Sequence, residues 1–571
     1  MYTPPPRPKP SLYFDYPTFD FVRPPELDGE RPRRQVAIVG GGPVGLTCAI
    51  ELARHGSQVV VIENDATVAD GSRAVCIARR SMEILQHVGV AERFLDKALV
   101  WTGGRSFYRN RVVFELEMPH GPDSRYHPMT NLQQCYIEQF LIEHIDGFDG
   151  IEIRWQSQVV GVAQTEDGAR IRIDTPEGRY ELEADYVIAA DGARSTMREL
   201  MGLKLSGTSY SGKYLIADIK MASPHRIERR AWFDPPANPG STVLMHKQPD
   251  DIWRVDYQLL DDDNEAEELR EDRIRERIQM QLDMIGETTP WELDWYSLYK
   301  AHCLCLDDYR QGRVLFVGDA AHLVPIFGVR GLNSGLADAN NLGWKLAYVL
   351  KGWAPADLLD TYGHERREAT QEIFREAGKS TAFMTPPTRG YRLMRDAALS
   401  LALSETWPRG LINPRQSQPY DYTDSRLNGT PADDATFSAG PRVGAPLLNM
   451  RLPATGDGAN APTFLLDRLG LGFTLICFCD EALAPDIAET MHRLRVGDEP
   501  VTTIVVARQA LTVDGAQVIA DPKGRFFDTY GASAGSAYLA RPDAHVCARW
   551  PRATGAAIEA ALATAVMRNE T

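Results

Sequence analysis

The sequence lacks the cysteine arrangements of a metal site or a redox pair. Its eight cysteines are scattered, and they form neither a CxxC pair nor a Cys/His spacing suited to zinc. Cys477 and Cys479 lie two positions apart, so in a strand they share a face but are too close for an easy disulfide. We therefore predict reduced thiols, no metal ion and a cytoplasmic location.

Long apolar runs and an excess of basic residues are also missing. No run approaches the ~20 apolar residues of a membrane span, and the N-terminus lacks the layout of a signal peptide. The chain carries 62 Lys and Arg against 78 Asp and Glu, a formal net charge of −16. An acidic chain is not expected to bind a nucleic-acid backbone. The sequence therefore predicts neither a membrane nor a nucleic acid as a partner.

A glycine-rich loop follows the first apolar run of the chain. The segment from Gly40 to Gly45 matches GxGxxG between a predicted strand and a predicted helix. The first glycine permits a tight turn, the second lets a pyrophosphate approach the backbone, and the third lets the helix pack closely. The helix begins at Pro43 and Val44, and its N-terminus attracts phosphate. Glu63 ends the next strand, where an acid binds ribose hydroxyls. The pattern predicts an adenine dinucleotide and leaves FAD and NAD open.

Two later motifs favour FAD. The first runs from Asp185 to Ser195 and contains Asp191-Gly192. The second begins at Gly318-Asp319 and continues to Leu346. Together with the glycine-rich loop, and in this order, they resemble the class A single-component FAD-dependent aromatic hydroxylases. The branch that includes phenol 2-monooxygenase and 3-(3-hydroxyphenyl)propionate hydroxylase is the most similar. The resemblance covers residues 35 to 571.

The resemblance implies an FAD site that several segments build. In the family, the aspartate at the position of Asp319 binds the ribityl chain, and a helix start near Gly331 faces the pyrimidine edge of the flavin. A rigid proline at position 325 would lie near the flavin ring. The implied cofactor-binding residues are Gly40, Gly42, Pro43, Val44, Gly45, Glu63, Arg73, Gln134, Asp191, Gly192, Asp319, Pro325, Gly331, Leu332 and Asn333.

The reaction that the resemblance implies is hydroxylation of a small phenolic substrate. NADPH or NADH would reduce FAD, O₂ would give a flavin C4a-hydroperoxide, and one oxygen atom would pass to the ring. Another flavin reaction on the same scaffold (oxidase, reductase, epoxidase or Baeyer–Villiger type) is the alternative, followed by a non-catalytic flavin-binding scaffold.

The group that activates the phenol stays open at this stage. Such a base needs a pKa near the operating pH. Arg254 is a candidate partner for a substrate carboxylate, and Arg330 places a charge where relatives commonly carry a neutral residue. Arg330 is compatible with a position near the flavin, the substrate, NAD(P)H or solvent. The predicted catalytic residues are Pro325, His246, Tyr257 and Arg330; the wider set of possible bases is Tyr214, His246, Asp256, Tyr257, Tyr299 and His302.

The predicted fold combines α/β and α+β parts: a Rossmann-like FAD-binding domain with an inserted β-rich substrate domain, plus a C-terminal thioredoxin-like domain. Without CxxC, the last domain is expected to support the structure or a dimer contact rather than dithiol chemistry. The aromatic N-terminal arm either packs on something, such as a partner subunit in a homodimer, or forms a free tail. The predicted ranges are 1–34 for the arm, 35–204 and 306–404 for the FAD-binding domain with its helices, 205–305 for the substrate domain, 405–440 for a linker and 441–571 for the last domain.

Overall fold

The computed structural model describes residues 2–325, 327–412, 418–429, 436–453 and 463–568. Within these ranges no helix combines the length and the apolar character that a membrane span requires. The described chain forms three large β-sheets with helices packed between and around them.

The first two hundred residues contain strands from two of the sheets. Besides the elements named below, the described residues form short 3₁₀ helices at Pro25–Asp28, Gly318–Ala320 and Leu465–Arg468. The strands of this part are β1 (Arg33–Val39), β2 (Val59–Ile62), β3 (Cys76–Ala78), β4 (Leu99–Trp101), β5 (Gly103–Tyr108), β6 (Arg111–Glu117), β7 (Met129–Asn131), β8 (Ile151–Arg154), β9 (Gln158–Gln164), β10 (Ala169–Thr175) and β11 (Gly178–Ala189). The helices are α1 (Pro43–Arg54), α2 (Arg79–Val88), α3 (Ala91–Leu95), α4 (Gln134–Ile145) and α5 (Thr196–Leu200).

The middle of the chain completes both sheets and adds long helices. Its strands are β12 (Ser206–Lys220), β13 (Arg229–Phe233), β14 (Thr242–Lys247), β15 (Ile252–Leu259), β16 (Glu292–Cys305), β17 (Arg310–Gln311), β18 (Val314–Phe316) and β19 (His322–Leu323). Its helices are α6 (Glu265–Glu268), α7 (Glu271–Met284), α8 (Gly331–Leu350), α9 (Leu358–Met384), α10 (Arg389–Ala402) and α11 (Arg409–Ile412).

The C-terminal part forms its own sheet. The strands are β20 (Thr474–Cys479), β21 (Arg495–Val496), β22 (Glu499–Pro500), β23 (Thr502–Ala507), β24 (Gln517–Ala520), β25 (Ala537–Ala540) and β26 (Val546–Trp550). The helices are α12 (Pro485–Met491), α13 (Arg525–Tyr530) and α14 (Gly555–Ala565). The sheet order is β24-β23-β20-β25-β26, with parallel and antiparallel pairs. It packs against Trp344 and Tyr348 of α8, so this mixed α/β part is joined to the rest by an apolar core.

The first sheet is mostly parallel, in the order β17-β18-β11-β1-β2-β8. Its central strands are apolar on both faces: every residue from Val59 to Ile62 is buried. Such continuous apolar runs are expected where both faces of a parallel sheet are covered. This sheet places the ends of β2, β1, β11 and β18 side by side along one edge.

The second sheet runs in the order β19-β16-β12-β15-β14-β13-β5-β6. Helix α7 covers one face, where Ile274 and Ile278 pack on alternate residues of β12, β14 and β15. The other face points toward the loops of the first sheet. Strands β5 and β6 belong to this sheet although they lie outside the predicted range 205–305, because β5 pairs in parallel with β13.

The N-terminal arm packs on its own chain. Phe14 is buried in a cluster with residues of α1, α2 and α4. Its ring meets that of Tyr136 edge-on at 5.0 Å, and Phe19 stacks on Trp155 at 4.1 Å. Aromatic pairs of this kind stabilise by about 1 kcal/mol beyond their burial, so they help to hold the arm against α4 and against Trp155, which follows β8.

Candidate functional site

Four loops meet at one edge of the first sheet. Strand β1 pairs in parallel with β2 and with β11, and β11 pairs in parallel with β18. Their last paired residues lie level with one another, and each strand is followed by a predicted cofactor-binding loop. The carboxyl edge of a parallel sheet, at its crossover point, is where dinucleotides bind in such folds. Segments almost 280 residues apart in sequence (from Gly40 to Asp319) therefore form one cleft.

The three motif glycines have different surroundings. Gly40 has φ +108°, and a side-chain carbon there would lie 2.5 Å from the carbonyl oxygen of Ala190. A carbon on Gly45 would overlap the carbonyl oxygen of Gly40. At Gly42 no protein atom lies within 4 Å of that position. The first and third glycines thus fit tightly, while the second faces open space at the start of α1.

That open space has the properties of a pyrophosphate site. Helix α1 begins at Pro43 with Gly42 as its N-cap, and no side chain caps the helix. The free backbone N–H groups and the positive end of the helix dipole therefore point into the space beside Gly42. Val44 packs between Gly318 and Gly335, where a side-chain carbon on Gly335 would lie 2.5 Å from Val44 Cγ2. The glycine-rich loop and the start of α8 are therefore in direct contact.

Glu63 is bonded to the glycine-rich loop. One carboxylate oxygen accepts a hydrogen bond from the N–H of Gly41 at 2.5 Å, and the other accepts one from the N–H of Asp65 at 2.8 Å. Burial raises the pKa of Glu63, and the two N–H donors oppose that shift. The carboxylate lies at the end of β2, beside the glycine-rich loop.

Gln134, at the start of α4, supports the loop that carries Arg73 on one side of the cleft. The Gln134 side chain accepts a hydrogen bond from the N–H of Ala74 at 3.2 Å and donates one to Glu138 at 2.9 Å. Burial raises the pKa of Glu138 to about 7. Gln134 therefore holds the loop, and the exposed side chain of Arg73 is left at the cleft.

Asp191 and Gly192 form the wall next to the glycine-rich loop. Asp191 accepts a hydrogen bond from the N–H of Met197 at 2.8 Å through Oδ2. Its Oδ1 is buried and has no hydrogen-bond partner among the described residues. Gly192 has φ +73° and faces open space. A buried acceptor without a donor is unfavourable, so this oxygen fits a donor that a bound molecule supplies.

Asp319 points into the cleft from the end of β18. Its side chain is exposed in the cleft, and the surrounding protein raises its pKa by desolvation, an effect that His322, Arg73 and Arg198 oppose. Arg198 donates a hydrogen bond to the carbonyl of Ala320 at 3.1 Å and so links this loop to the Asp191 loop. An exposed carboxylate here is free to accept hydrogen bonds from a ribityl chain.

The loop that carries Asp319 is fixed by Asp338 of α8. The Asp338 carboxylate accepts hydrogen bonds from the N–H of Gly318 at 2.9 Å and from Arg366 at 2.6 Å, and it pairs with His322 at 2.7 Å. Burial disfavours its charge, but His322 and Arg366 outweigh that effect and lower its pKa. Asp338 is therefore ionised and holds the Asp319 loop in place.

The C-terminal domain joins this ionic network. Arg541 pairs with Glu365 of α9 at 2.7 Å, and Lys345 of α8 pairs with the same carboxylate at 2.8 Å. All three side chains are buried. Because Glu365 precedes Arg366 on α9, charges of the C-terminal domain brace the helix that also holds Asp338.

The start of α8 closes the cleft opposite α1. Helix α8 begins at Gly331, and Leu332 and Asn333 follow in its first turn. The Asn333 side chain accepts a hydrogen bond from the N–H of Ala78 at 2.8 Å and donates to the carbonyl of Cys76 at 3.0 Å. Its side chain thus joins α8 to β3.

Pro325 is buried just before α8, and Phe327 enters an aromatic cluster on the second sheet. We define the aromatic cluster as Tyr108, Tyr214, Phe233 and Phe327, which are buried together. The rings of Tyr214 and Phe327 meet edge-on at 5.1 Å. Phe327 therefore links the segment just before α8 to a buried aromatic cluster on the second sheet.

Among the predicted bases, His246 and Asp256 lie on the face of the second sheet opposite to α7. Both ring nitrogens of His246 are buried without a hydrogen-bond partner in the described chain. Burial and the charges of Arg229 and Arg254 hold the pKa of His246 well below its usual value, so the ring is neutral. Burial raises the pKa of Asp256 to about 7.

The positions of Tyr257 and Arg254 are less favourable for their predicted roles, and one alternative for Arg330 is excluded. Tyr257 lies on the face that packs against α7, away from the cleft. Arg254 is bound to Asp218 at 2.8 Å and donates to the carbonyl of Ser72, so its charge is already paired. Arg330 is buried, which excludes the solvent position, and its positive charge lies near Glu372 and Glu376 of α9.

The remaining candidate bases are held by neighbours. Tyr214 bonds Thr385 Oγ1 at 2.7 Å, and Tyr299 donates to the carbonyl of Val324 at 2.9 Å. His302 bonds Ser209 at an exposed position. Sequence reasoning also missed Arg395 of α10, a buried cation beside the aromatic cluster. No metal-binding group of three or more His, Cys, Asp or Glu residues occurs in the described ranges.

Comparisons with known proteins agree with this cleft. A family model described as "FAD binding domain" matches residues 33–377, more than half of the chain. A 3-(3-hydroxy-phenyl)propionate/3-hydroxycinnamic acid hydroxylase of Mycolicibacterium smegmatis is 28% identical over 448 residues, which cover 78% of this chain and 76% of the relative. A second relative, from Burkholderia vietnamiensis, has the same activity in its name. It is 27% identical over 528 residues, which cover 91% of this chain and 94% of the relative.

Solved structures show the same fold. The flavin-dependent monooxygenase PieE, in complex with FAD and substrate, matches with a TM-score of 0.76 and 24% identity over 94% of this chain and 100% of that chain. The p-nitrophenol 4-monooxygenase PnpA of Pseudomonas putida matches with a TM-score of 0.57 and 27% identity over 68% of this chain and 100% of that chain. The predicted FAD cofactor and the predicted class, a flavoprotein monooxygenase, are confirmed. The chain belongs to the FAD binding domain family.

Proposed function

We propose that the protein uses FAD, NADH or NADPH, and O₂ to hydroxylate the ring of a small phenolic substrate. The observation that carries the proposal is the closeness of the start of α8 to the aromatic cluster. Pro325 is buried just before α8, and two residues later Phe327 packs on Tyr214 of the second sheet. A ring bound among these side chains would lie next to the predicted flavin position. When bound and reduced, the flavin supplies the activation of O₂.

The protein residues would bind, orient and deprotonate the phenol. Asp256 suits the role of base better than His246. Its pKa, raised to about 7 by burial, matches a reaction near neutral pH, and its Oδ1 is buried without a partner among the described residues. His246 is neutral with two free ring nitrogens, so it can accept or donate a hydrogen bond to a hydroxyl group.

Water exclusion is the second requirement of the reaction. Pro325 and Phe327 are buried, and the aromatic cluster around Phe327 is apolar. An apolar, closed surrounding of this kind protects a reactive intermediate from hydrolysis. We propose that Pro325 acts by its shape rather than by its chemistry.

The test is oxidation of NADH and NADPH by the FAD-loaded protein in the presence of single phenols. The relatives' names give the first two compounds, 3-(3-hydroxyphenyl)propionate and 3-hydroxycinnamate; p-nitrophenol is the third. The expected result is stimulated oxidation together with a product that has gained one oxygen atom. Stimulated oxidation that yields only hydrogen peroxide, or a product with the oxygen atom inserted into a ring, would favour another flavin reaction.

We also propose the finer features of organisation. These are the ranges stated for the domains, a thioredoxin-like C-terminal domain that supports the structure, and a homodimer. An exposed apolar face on and after α10 supports self-association; it includes Leu393, Met394, Trp407 and Leu411. All eight cysteines are free, which supports a reducing, cytoplasmic location. Light scattering of the purified protein tests the homodimer, and a monomer would contradict it.

A further inference from the structure

Arg395 of α10 is a buried cation with an incomplete set of partners. Its side chain is 1% exposed. The Nε atom pairs with Asp396 at 3.0 Å, whereas Nη1 and Nη2 are buried and have no hydrogen-bond partner among the described residues. The Asp396 side chain is 33% exposed, so water can solvate that carboxylate without Arg395.

Unpaired guanidinium nitrogens in the protein interior are unfavourable. Removing a charged donor from water without an acceptor costs more than removing a neutral one. The two free nitrogens lie on one side of a planar fork, and that geometry matches the two oxygens of a carboxylate. The arrangement therefore calls for an anion that the protein itself does not supply.

The position of Arg395 connects it to the proposed ring site. It lies on the buried stripe of α10 with Ala398 and Leu399, and Leu399 packs into the aromatic cluster. Burial raises the pKa of Tyr214, and the positive charge of Arg395 opposes that shift, as expected if the guanidinium lies near this hydroxyl. Tyr108 experiences the same charge.

Two other cations near the cleft, Arg254 and Arg198, have partners in the protein. Arg254 is paired with Asp218 and with backbone carbonyls, and Arg198 donates to two backbone carbonyls. Arg395 differs because two of its nitrogens are buried and unused.

We propose that Arg395 binds the carboxylate of an aromatic substrate whose ring lies in the aromatic cluster. The inference rests on the proposed function, because it names the substrate class of that same site. The substrate is then a phenol with an acidic side arm, and Arg395 selects it over neutral phenols. The ring end points toward Pro325 and the acid end toward α10.

The test compares 3-(3-hydroxyphenyl)propionate with 3-propylphenol, which carries a neutral methyl group in place of the carboxylate. Their dissociation constants are measured by calorimetry on the oxidised, FAD-loaded protein, so no turnover is needed. The variant is Arg395→Met, and the matched control is Arg392→Met at an exposed position of the same helix. Charged hydrogen bonds predict that the wild type prefers the acid by about 10- to 100-fold. Arg395→Met should remove this preference, and Arg392→Met should keep it.

Thermal unfolding separates a ligand site from a structural role. Replacing a buried, poorly paired cation by an apolar side chain of similar size is neutral or stabilising. We therefore expect the unfolding midpoint of Arg395→Met to stay the same or to rise. An equal affinity of the wild type for both ligands, an unchanged preference in Arg395→Met, or failure of 3-(3-hydroxyphenyl)propionate to bind would overturn the inference. Arg395-dependent binding without hydroxylation would instead count against the proposed function alone.

Discussion

Gly42→Ala separates cofactor binding from protein stability. The added methyl group would have no protein atom within 4 Å, and the backbone φ of −75° suits alanine. The free energy of unfolding without FAD should therefore change by no more than about 0.5 kcal/mol. With FAD, the methyl group would occupy the space that the pyrophosphate needs. Overpacking of this kind costs about 1–3 kcal/mol, which corresponds to a roughly 5- to 150-fold weaker dissociation constant.

The assay is a titration of FAD into the deflavinated protein, followed by flavin fluorescence, with urea unfolding measured in parallel. Gly45→Ala is the control, because its methyl group would overlap the carbonyl oxygen of Gly40 and should lower stability even without FAD. Wild-type FAD affinity in Gly42→Ala would refute the placement of the pyrophosphate. If Gly42→Ala lost as much stability as Gly45→Ala, the claim that the space beside Gly42 is open would be wrong.

Further predictions concern the contacts around the cleft. Gly335→Ala should weaken FAD binding because its methyl group would meet Val44 Cγ2. The double variant Gly335→Ala/Val44→Ala should bind FAD as the wild type does. Equally weak binding by both variants in a fluorescence titration would contradict the importance of this contact. Asp319→Ala should lower the flavin content of the purified protein, measured by absorbance, and a fully yellow, active variant would exclude a role in binding. Burial raises the pKa of Asp256 to about 7, so the folded protein keeps a proton that the unfolded chain releases above pH ~4. Stability should fall as the pH rises from ~4 to ~7, by at most about 4 kcal/mol, and urea unfolding of Asp256→Asn should show a flatter profile and greater stability above pH 7.

Local rules were enough to predict the cofactor cleft. The glycine-rich loop, Glu63 and Asp319 each follow an apolar strand, and in a parallel sheet the ends of neighbouring strands share one edge. The sequence order of the motifs therefore implied their proximity. The apolar runs at Val59–Ile62 and Val314–Phe316 predicted buried strands for the same reason.

The catalytic side of the site was harder to predict. Tyr257 and Asp256 lie on opposite faces of β15, as neighbours in a strand do. Every residue of this strand is buried, so its burial pattern does not show which face each residue occupies. The pairing of Arg254 with Asp218 joins β15 to β12, 36 residues apart, and no local signal indicates it. Both placements depend on tertiary contacts across the second sheet.

Arg395 left a weak signal in the sequence. It precedes Ala398, Leu399 and Ala402 at helical spacing, so a periodic reading of α10 places a charge on the apolar stripe. A charge at such a position usually extends to solvent along the helix surface. Only the fold shows that the stripe packs under the aromatic cluster and keeps the guanidinium buried.

The most direct test of the account is the source of the oxygen in the product. The FAD-loaded protein is incubated with NADH or NADPH, labelled O₂ and a phenol that stimulates oxidation, and the product is analysed by mass spectrometry. The account predicts one labelled oxygen atom on an intact aromatic ring. A product without the label, or reduced-nucleotide oxidation that forms only hydrogen peroxide with every phenol tested, would contradict it.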